Sequence, residues 1–218
     1  MVHVNKISDV NVNSFVYSTP RVNTSGGQTI FINLPDHYSK KIVIALPRLT
    51  LPFGLSDYGG RKSLQFSLKS DSKVDEFRDF LSTLDLQNVQ RAVNNTTSWF
   101  KKSLSAEAVQ ELYNPSLKQP NEKYPPMFRA RFPTHPDTGA FMGDVYDKNR
   151  NLVHERVITN GCEVEAIVEL VGLYFVAKEF GMSWKVVQLK VFPNERLRGY
   201  SFLCESDDES DQSDAEPN

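Results

Sequence analysis

Cysteine is scarce in this chain, with two among 218 residues, Cys162 and Cys204. One sits in a strand pattern and the other borders a charged tail. They build no disulfide framework, which predicts a reduced, intracellular protein. No apolar run approaches the ~20 residues of a membrane span, so no membrane partner is implied. The N-terminal MVHVNKISDVNVNSF has neither the charged start nor the apolar stretch of a signal peptide. The four histidines, His3, His37, His135 and His154, are scattered without a second ligand at metal-binding spacing. The phosphate-cradling GxxxxGKS/T, the dinucleotide GxGxxG and the nucleophile GxSxG are all missing. Cys162 has no CxxC partner and falls on the apolar face of a strand, the place of a small buried hydrophobe. No catalytic residue, metal or cofactor is assigned. An enzyme with residues far apart in sequence is kept as an alternative reading.

What the chain does carry is an uneven charge. The last fourteen residues, ESDDESDQSDAEPN, hold seven carboxylates and no Lys, Arg, aromatic or aliphatic larger than Ala. The whole chain has 25 Lys and Arg against 27 Asp and Glu. Setting the tail's seven acids aside leaves 25 against 20, a basic body of about +5 over residues 1–204. A basic body with a detachable acidic tail suits a protein that binds a polyanion and is also held off it. Solubility alone is the plainer use of such a tail.

The body divides by pattern. Residues 1–27 are polar, rich in Asn, Ser and Val, and form an N-terminal arm or an early edge strand. Short β-type runs follow at Gln28–Leu34, Lys41–Leu46 and Ser63–Leu68, separated by turns such as Leu34-Pro35-Asp36 and Tyr58-Gly59-Gly60. Ser72 with Asp75 three residues on is a short-armed capping box. After it Val74, Phe77, Phe80, Leu81, Leu84, Leu86 and Val89 recur at helical spacing. A second helix spans Ser105–Tyr113, so helices are inserted over about 72–113. β-type runs resume at Met127–Phe132, Phe141–Tyr146, Leu152–Ile158, Cys162–Val176 and Ser183–Phe192, with Gly181 as the last turn. Curved antiparallel strands with helices inserted after the third point to a mainly β domain over 28–198, a small barrel with an α-helical insertion. The short alternating strands fit a two-sheet sandwich equally well. Residues 199–218 are an acidic, disordered tail.

Nucleic-acid binding asks for cations along a backbone and flat side chains for bases. Three segments offer both. In the first, Lys123 and Tyr124 precede Arg129 and Arg131, which share one strand face close to the spacing of successive phosphates; a plain charged outer face explains them too. Lys148 and Arg150 sit on a turn tip, Asp147 to Asn151, where polar residues are ordinary. In the third, Trp184, Val186, Gln188, Lys190 and Phe192 oppose an apolar face of Val187, Leu189 and Val191, with Lys185 beside them. Trp184 serves equally well as a base-stacking ring or as a buried anchor.

The element order carries a resemblance. An alternating acidic and apolar strand runs into Val171-Gly172-Leu173-Tyr174-Phe175, then Phe180-Gly181-Met182-Ser183-Trp184-Lys185-Val186-Val187-Gln188, and an acidic tail closes the chain. This resembles the replicative single-stranded-DNA-binding proteins of large nucleocytoplasmic DNA viruses, related to the OB-fold binding proteins of short-tailed phages. The resemblance covers most of Gln28–Phe192 in element order and is sharpest at Gly-Met-Ser-Trp-Lys and in the tail. It implies an OB-like barrel that coats single-stranded DNA in replication and recombination. It also implies an acidic tail, here Asp207, Asp208, Glu209, Asp211 and Asp214, that competes with DNA and recruits polymerase, helicase or a second copy of the protein. The implied site of action is wherever viral DNA is replicated, nucleus or cytoplasm. Phage and bacterial tails end on an aromatic plug, whereas this chain ends Ala215-Glu216-Pro217-Asn218, so only the electrostatic part carries over. The competing reading is a protein-interaction or virion module whose tail binds basic partners.

Ser206 and Ser213 each have an acid three residues on, Glu209 and Glu216, the pattern of acid-directed kinases. Phosphorylation there deepens the tail's negative charge. The double substitution Ser206→Asp with Ser213→Asp is expected to weaken single-strand binding several-fold by fluorescence anisotropy; unchanged affinity overturns the competing role.

Overall fold

The computed structural model describes residues 3–23, 26–35, 41–119, 121–177 and 179–194. The tail residues Asp207, Asp208, Glu209, Asp211 and Asp214, and with them the expectation of disorder, lie outside the described residues.

Two single-turn 3-10 helices lead into β1 (Val16–Tyr17) and β2 (Arg21–Val22), both laid antiparallel on β3 (Gln28–Asn33). Phe15 is buried beside them, so this segment is a sheet edge rather than a free arm. Then come β4 (Ile42–Ala45), β5 (Leu49–Leu51), β6 (Leu55–Tyr58) and β7 (Arg61–Ser67). Three helices follow, α1 (Ser72–Asn94), α2 (Thr96–Phe100) and α3 (Ala106–Leu112). The chain returns to strands with β8 (Tyr113–Asn114), β9 (Leu117–Lys118), β10 (Met127–Arg131) and β11 (Asp144–Tyr146), and ends on the long pair β12 (Cys162–Val176) and β13 (Glu179–Phe192).

Five of these strands close a ring. β5 pairs with β7, β7 with β10, β10 with β13, β13 with β12, and β12 returns to β5. In chain order the ring reads first, second, third, fifth, fourth, with the third and fifth parallel. That is the Greek-key connection of an OB-like barrel, with helices inserted between its second and third strands. Closure decides between barrel and sandwich, and it leaves the five ring strands without a free edge between them.

The barrel forms because the ring strands alternate. Leu64 and Phe66 of β7, Phe128 and Ala130 of β10, and Val164, Ala166, Val168 and Leu170 of β12 are buried. α1 covers them with Val74, Phe77, Phe80, Leu81 and Leu84. Phe128 is the joint: Phe77 meets it edge-on at 5.2 Å and Trp184 does so from another side at 5.6 Å. Such edge-to-face pairs add about 1 kcal/mol each beyond the area they bury.

Several sequence expectations are corrected here. Asp71, not Ser72, caps α1, its carboxylate accepting from the Lys73 N–H. Leu86 faces solvent at 74% exposure, and Asn88 takes the inward position, accepting a hydrogen bond from the Tyr17 hydroxyl at 2.7 Å. No strand forms over Leu152–Ile158 beyond a bridge of Leu152 to Tyr146; a 3-10 turn at Glu155–Val157 takes its place. Gly181 lies inside β13, not at a turn, and its missing side chain lets β8 run alongside, since a Cβ there would meet the Asn114 carbonyl oxygen at 2.7 Å.

The largest correction concerns the face of Trp184 and Val186. Ile167 pairs with Gln188 while Val168 pairs with Val186, so Val187 is a bulge that shifts the alternation by one. Trp184 and Val186 therefore point inward with Leu189 and Val191, and Trp184 is 2% exposed. It anchors the barrel and offers no face to a base.

A second bulge at Val171 sets Gly172 against β3 with φ +149, and a Cβ would overlap the carbonyl oxygen of Ile30. Gly172→Ala is expected to cost about 2–3 kcal/mol, from overlap together with backbone strain. A denaturant midpoint unchanged from wild type would contradict that account.

Candidate nucleic-acid interface

β7 and β10 run antiparallel, with Gln65 opposite Arg129 and Ser63 opposite Arg131. The alternation that buries Leu64, Phe66, Phe128 and Ala130 turns Gln65, Arg129 and Arg131 outward. Arg129 lies along the pair, its Nε donating to the Ser63 hydroxyl at 3.1 Å. Partial burial, and then the charge of Arg61 at the start of β7, hold the Arg131 guanidinium below its usual pKa. Among the described residues none of Arg61, Arg129 and Arg131 forms an ion pair with a carboxylate. Three guanidinium groups on one face thus lack a protein counterion there, which leaves them free to take one from outside.

Aromatic side chains stand at both ends of this face. The β6–β7 turn, Gly59-Gly60, has φ +59 and +77, the two-residue hairpin that needs positive φ at both positions. It sets Tyr58 opposite Arg61 with its ring 85% exposed. Phe53, in the turn at the opposite end of β6 from Tyr58, is 51% exposed. At the other end Tyr124, 62% exposed, lies three residues before β10, with Lys123 beside it. The seven residues of β7 span on the order of 20 Å between these rims.

β13 continues the face under different conditions. Lys185 lies opposite Arg131, but its ammonium pairs with Glu169 Oε1 at 3.1 Å, while Lys41 approaches Oε2 of the same carboxylate at 3.4 Å. Lys190 pairs with Glu165 at 3.3 Å and Arg48 with Glu163 at 2.7 Å. The three outward glutamates of β12 are therefore counterions, not a bare acidic surface. Lys148 and Arg150 occupy the turn after β11, where Asp147 accepts from the N–H groups of Asn149 and Asn151. Through the pairing of Tyr146 with Lys190 this turn adjoins the far end of β13.

Of the residues singled out from sequence, Arg129, Arg131 and Lys185 come together, with Lys123 and Tyr124 at one rim. Lys148, Arg150 and Lys190 form a second group along β13. Trp184 belongs to neither. Sequence reasoning missed Arg61, Tyr58, Phe53 and Gln65. The signal for the first two was the Tyr-Gly-Gly-Arg hairpin, an aromatic and a cation held together across a tight turn.

Cys162 is buried, and desolvation raises its thiol pKa, the condition of an unreactive cysteine. Residues 58–202 match the model of a family described as "Family of unknown function (DUF5871)". Among solved structures the chain is similar to the single-stranded DNA-binding protein from bacteriophage Enc34 in complex with ssDNA, at 13% identity over 84% of this chain and 98% of that one, TM-score 0.44. It is also similar to gp2.5, a single-stranded DNA binding protein encoded by bacteriophage T7, at 13% identity over 82% and 98%, TM-score 0.49. No curated protein matches the chain.

Glu169 is the counterion in the middle of this face. Glu169→Gln keeps its shape and releases Lys41 and Lys185, so the variant is expected to elute from immobilised heparin at higher salt than wild type. Equal elution would show that the two lysines do not belong to the exposed cationic face.

Proposed function

This chain belongs to the family of unknown function DUF5871, and we propose that it is a non-catalytic single-stranded-DNA-binding protein acting in viral DNA replication and recombination. The observation that carries the reading is the outward face of β7 and β10. In OB barrels the second and third strands and the loop between the first and second are where oligonucleotides lie. In this chain those positions hold Arg61, Gln65, Arg129 and Arg131, with Phe53 and Tyr58 on the first-to-second loop. Guanidinium groups without protein counterions hold phosphates, and exposed rings stack on bases with little sequence preference.

The reading extends to the tail. Asp207, Asp208, Glu209, Asp211 and Asp214 compete with DNA for the arginine face and recruit replication partners such as a polymerase or helicase, or a second copy of the chain. The protein works as a coat on exposed strands in the reducing interior of an infected cell, in the manner of the large nucleocytoplasmic DNA viruses. A footprint of about 4–16 nucleotides per barrel is normal for such a domain.

Anisotropy with labelled oligo-dT and its duplex counterpart tests both parts, using the full chain and a version stopped after Cys204. The expected result is preference for the single strand, tighter without the tail. The log–log salt slope of single-strand binding falls by roughly 0.7 per lost phosphate contact, so Arg129→Ala with Arg131→Ala should flatten it by about 1.4. Absence of binding by either form overturns the reading in favour of an interaction module.

A further inference from the structure

A pocket of about 450 Å³ opens beside the second cationic group, on the outward side of β12 and β13. Ala45, Leu46 and Ile167 line its apolar part, and Tyr146, Gln188 and Arg150 are among its polar lining. Its volume falls within the range of small-ligand sites, which are mostly apolar with a few placed polar groups. The Tyr146 hydroxyl makes no hydrogen bond to another described residue, and the Arg150 guanidinium has no carboxylate within ion-pair distance among them. Gln188 donates from Nε2 to Asp144 at 3.3 Å, which leaves its amide oxygen available as an acceptor.

The turn that presents Arg150 supplies an independent observation. Arg150 has φ +68, a left-handed conformation in which a side chain other than Gly, Asn or Asp is uncommon. Its neighbours Asn149 and Asn151 are the residue type that suits such a position, yet the arginine occupies it. Asp147 holds the turn rigid through the N–H groups of Asn149 and Asn151 and the Asn151 side chain. A long cationic side chain in a left-handed position, lining a pocket, points to a ligand for that cation.

The pocket also continues the arginine face. Lys185 lies opposite Arg131, and Gln188 is three residues further along the same outward side of β13, on the order of 10 Å away. We propose that this pocket takes one nucleotide of the bound strand, its base against Tyr146 and the apolar wall of Ala45, Leu46 and Ile167, its edge read by Gln188, and its phosphate held by Arg150. The proposal rests on the single-strand reading above. It adds a discrete base-accepting site to a face that otherwise grips the backbone.

Three variants of the full chain separate the possibilities: Arg150→Gly, Tyr146→Ala, and the double Arg129→Ala with Arg131→Ala. Arg150→Gly relieves the left-handed position, so its melting temperature is expected to be equal to wild type or higher while oligo-dT affinity drops about tenfold. Tyr146→Ala is expected to lose a similar factor on oligo-dT and nothing on a strand of abasic sites. Photocrosslinking of an oligonucleotide carrying 5-iodouracil is expected to label Tyr146. Loss of affinity in the double arginine variant, with full affinity in both pocket variants and no label on Tyr146, overturns the pocket and leaves the strand reading intact. Absence of oligo-dT binding by wild type overturns both. Thymidine monophosphate bound as tightly as oligo-dT, and unaffected by the double arginine variant, makes this a free-nucleotide site and overturns its place on the strand.

Discussion

The barrel closes where a cation meets a cation. β10 and β13 run parallel for one register pair, Arg131 opposite Lys185, and without that contact the ring stays an open sheet. Two like charges facing each other across a strand pair oppose closure. Glu169 answers this from β12, at 9% exposure, its two oxygens shared between Lys185 and Lys41. A carboxylate so deeply placed depends on its ion-pair partners, and losing either lysine leaves it poorly compensated. The concentration of positive charge that suits a polyanion is thus also a structural strain that the fold has to balance.

That balance explains the division of labour on the outer surface. β12 supplies glutamates at alternate positions, and each meets a cation of β13 or of the segment before β5. β7 and β10 lie on the far side of β13, out of reach of these glutamates, and their arginines keep their charge unspent. One continuous sheet therefore carries a neutralised half and a cationic half. Net charge, only about +5 for the body, understates how basic the second half is locally.

The long alternation of Cys162 to Leu170 and the helical spacing from Val74 to Leu84 were readable in the sequence, because each repeats its period several times. Arg129 and Arg131 were readable for the same reason, flanked by Phe128, Ala130 and Phe132. What escaped has a physical cause in each case. β5 is three residues long and shows no period. The bulge at Val187 exists only in the pairing of β13 with β12, so nothing within Ser183–Phe192 says that Trp184 and Leu189 share a face. Arg61 looks like a turn residue until the hairpin folds it back beside Arg131. Asn88 occupies a helix position that polarity assigns to solvent, and the Tyr17 hydroxyl, 71 residues away in sequence, gives it a buried partner.

β12 pairs with β3, β4 and β5 on one side and β13 on the other. The strands of the first quarter of the chain thus depend on a partner made more than a hundred residues later. During synthesis, everything before Cys162 leaves the ribosome as an unfinished sheet with exposed edges, and ring closure waits until Phe192 has emerged. Such distant pairing makes folding slow, with the nascent chain open to intermolecular strand pairing in the interval. Crowding among nascent copies then sets a demand for chaperones that the finished barrel no longer has.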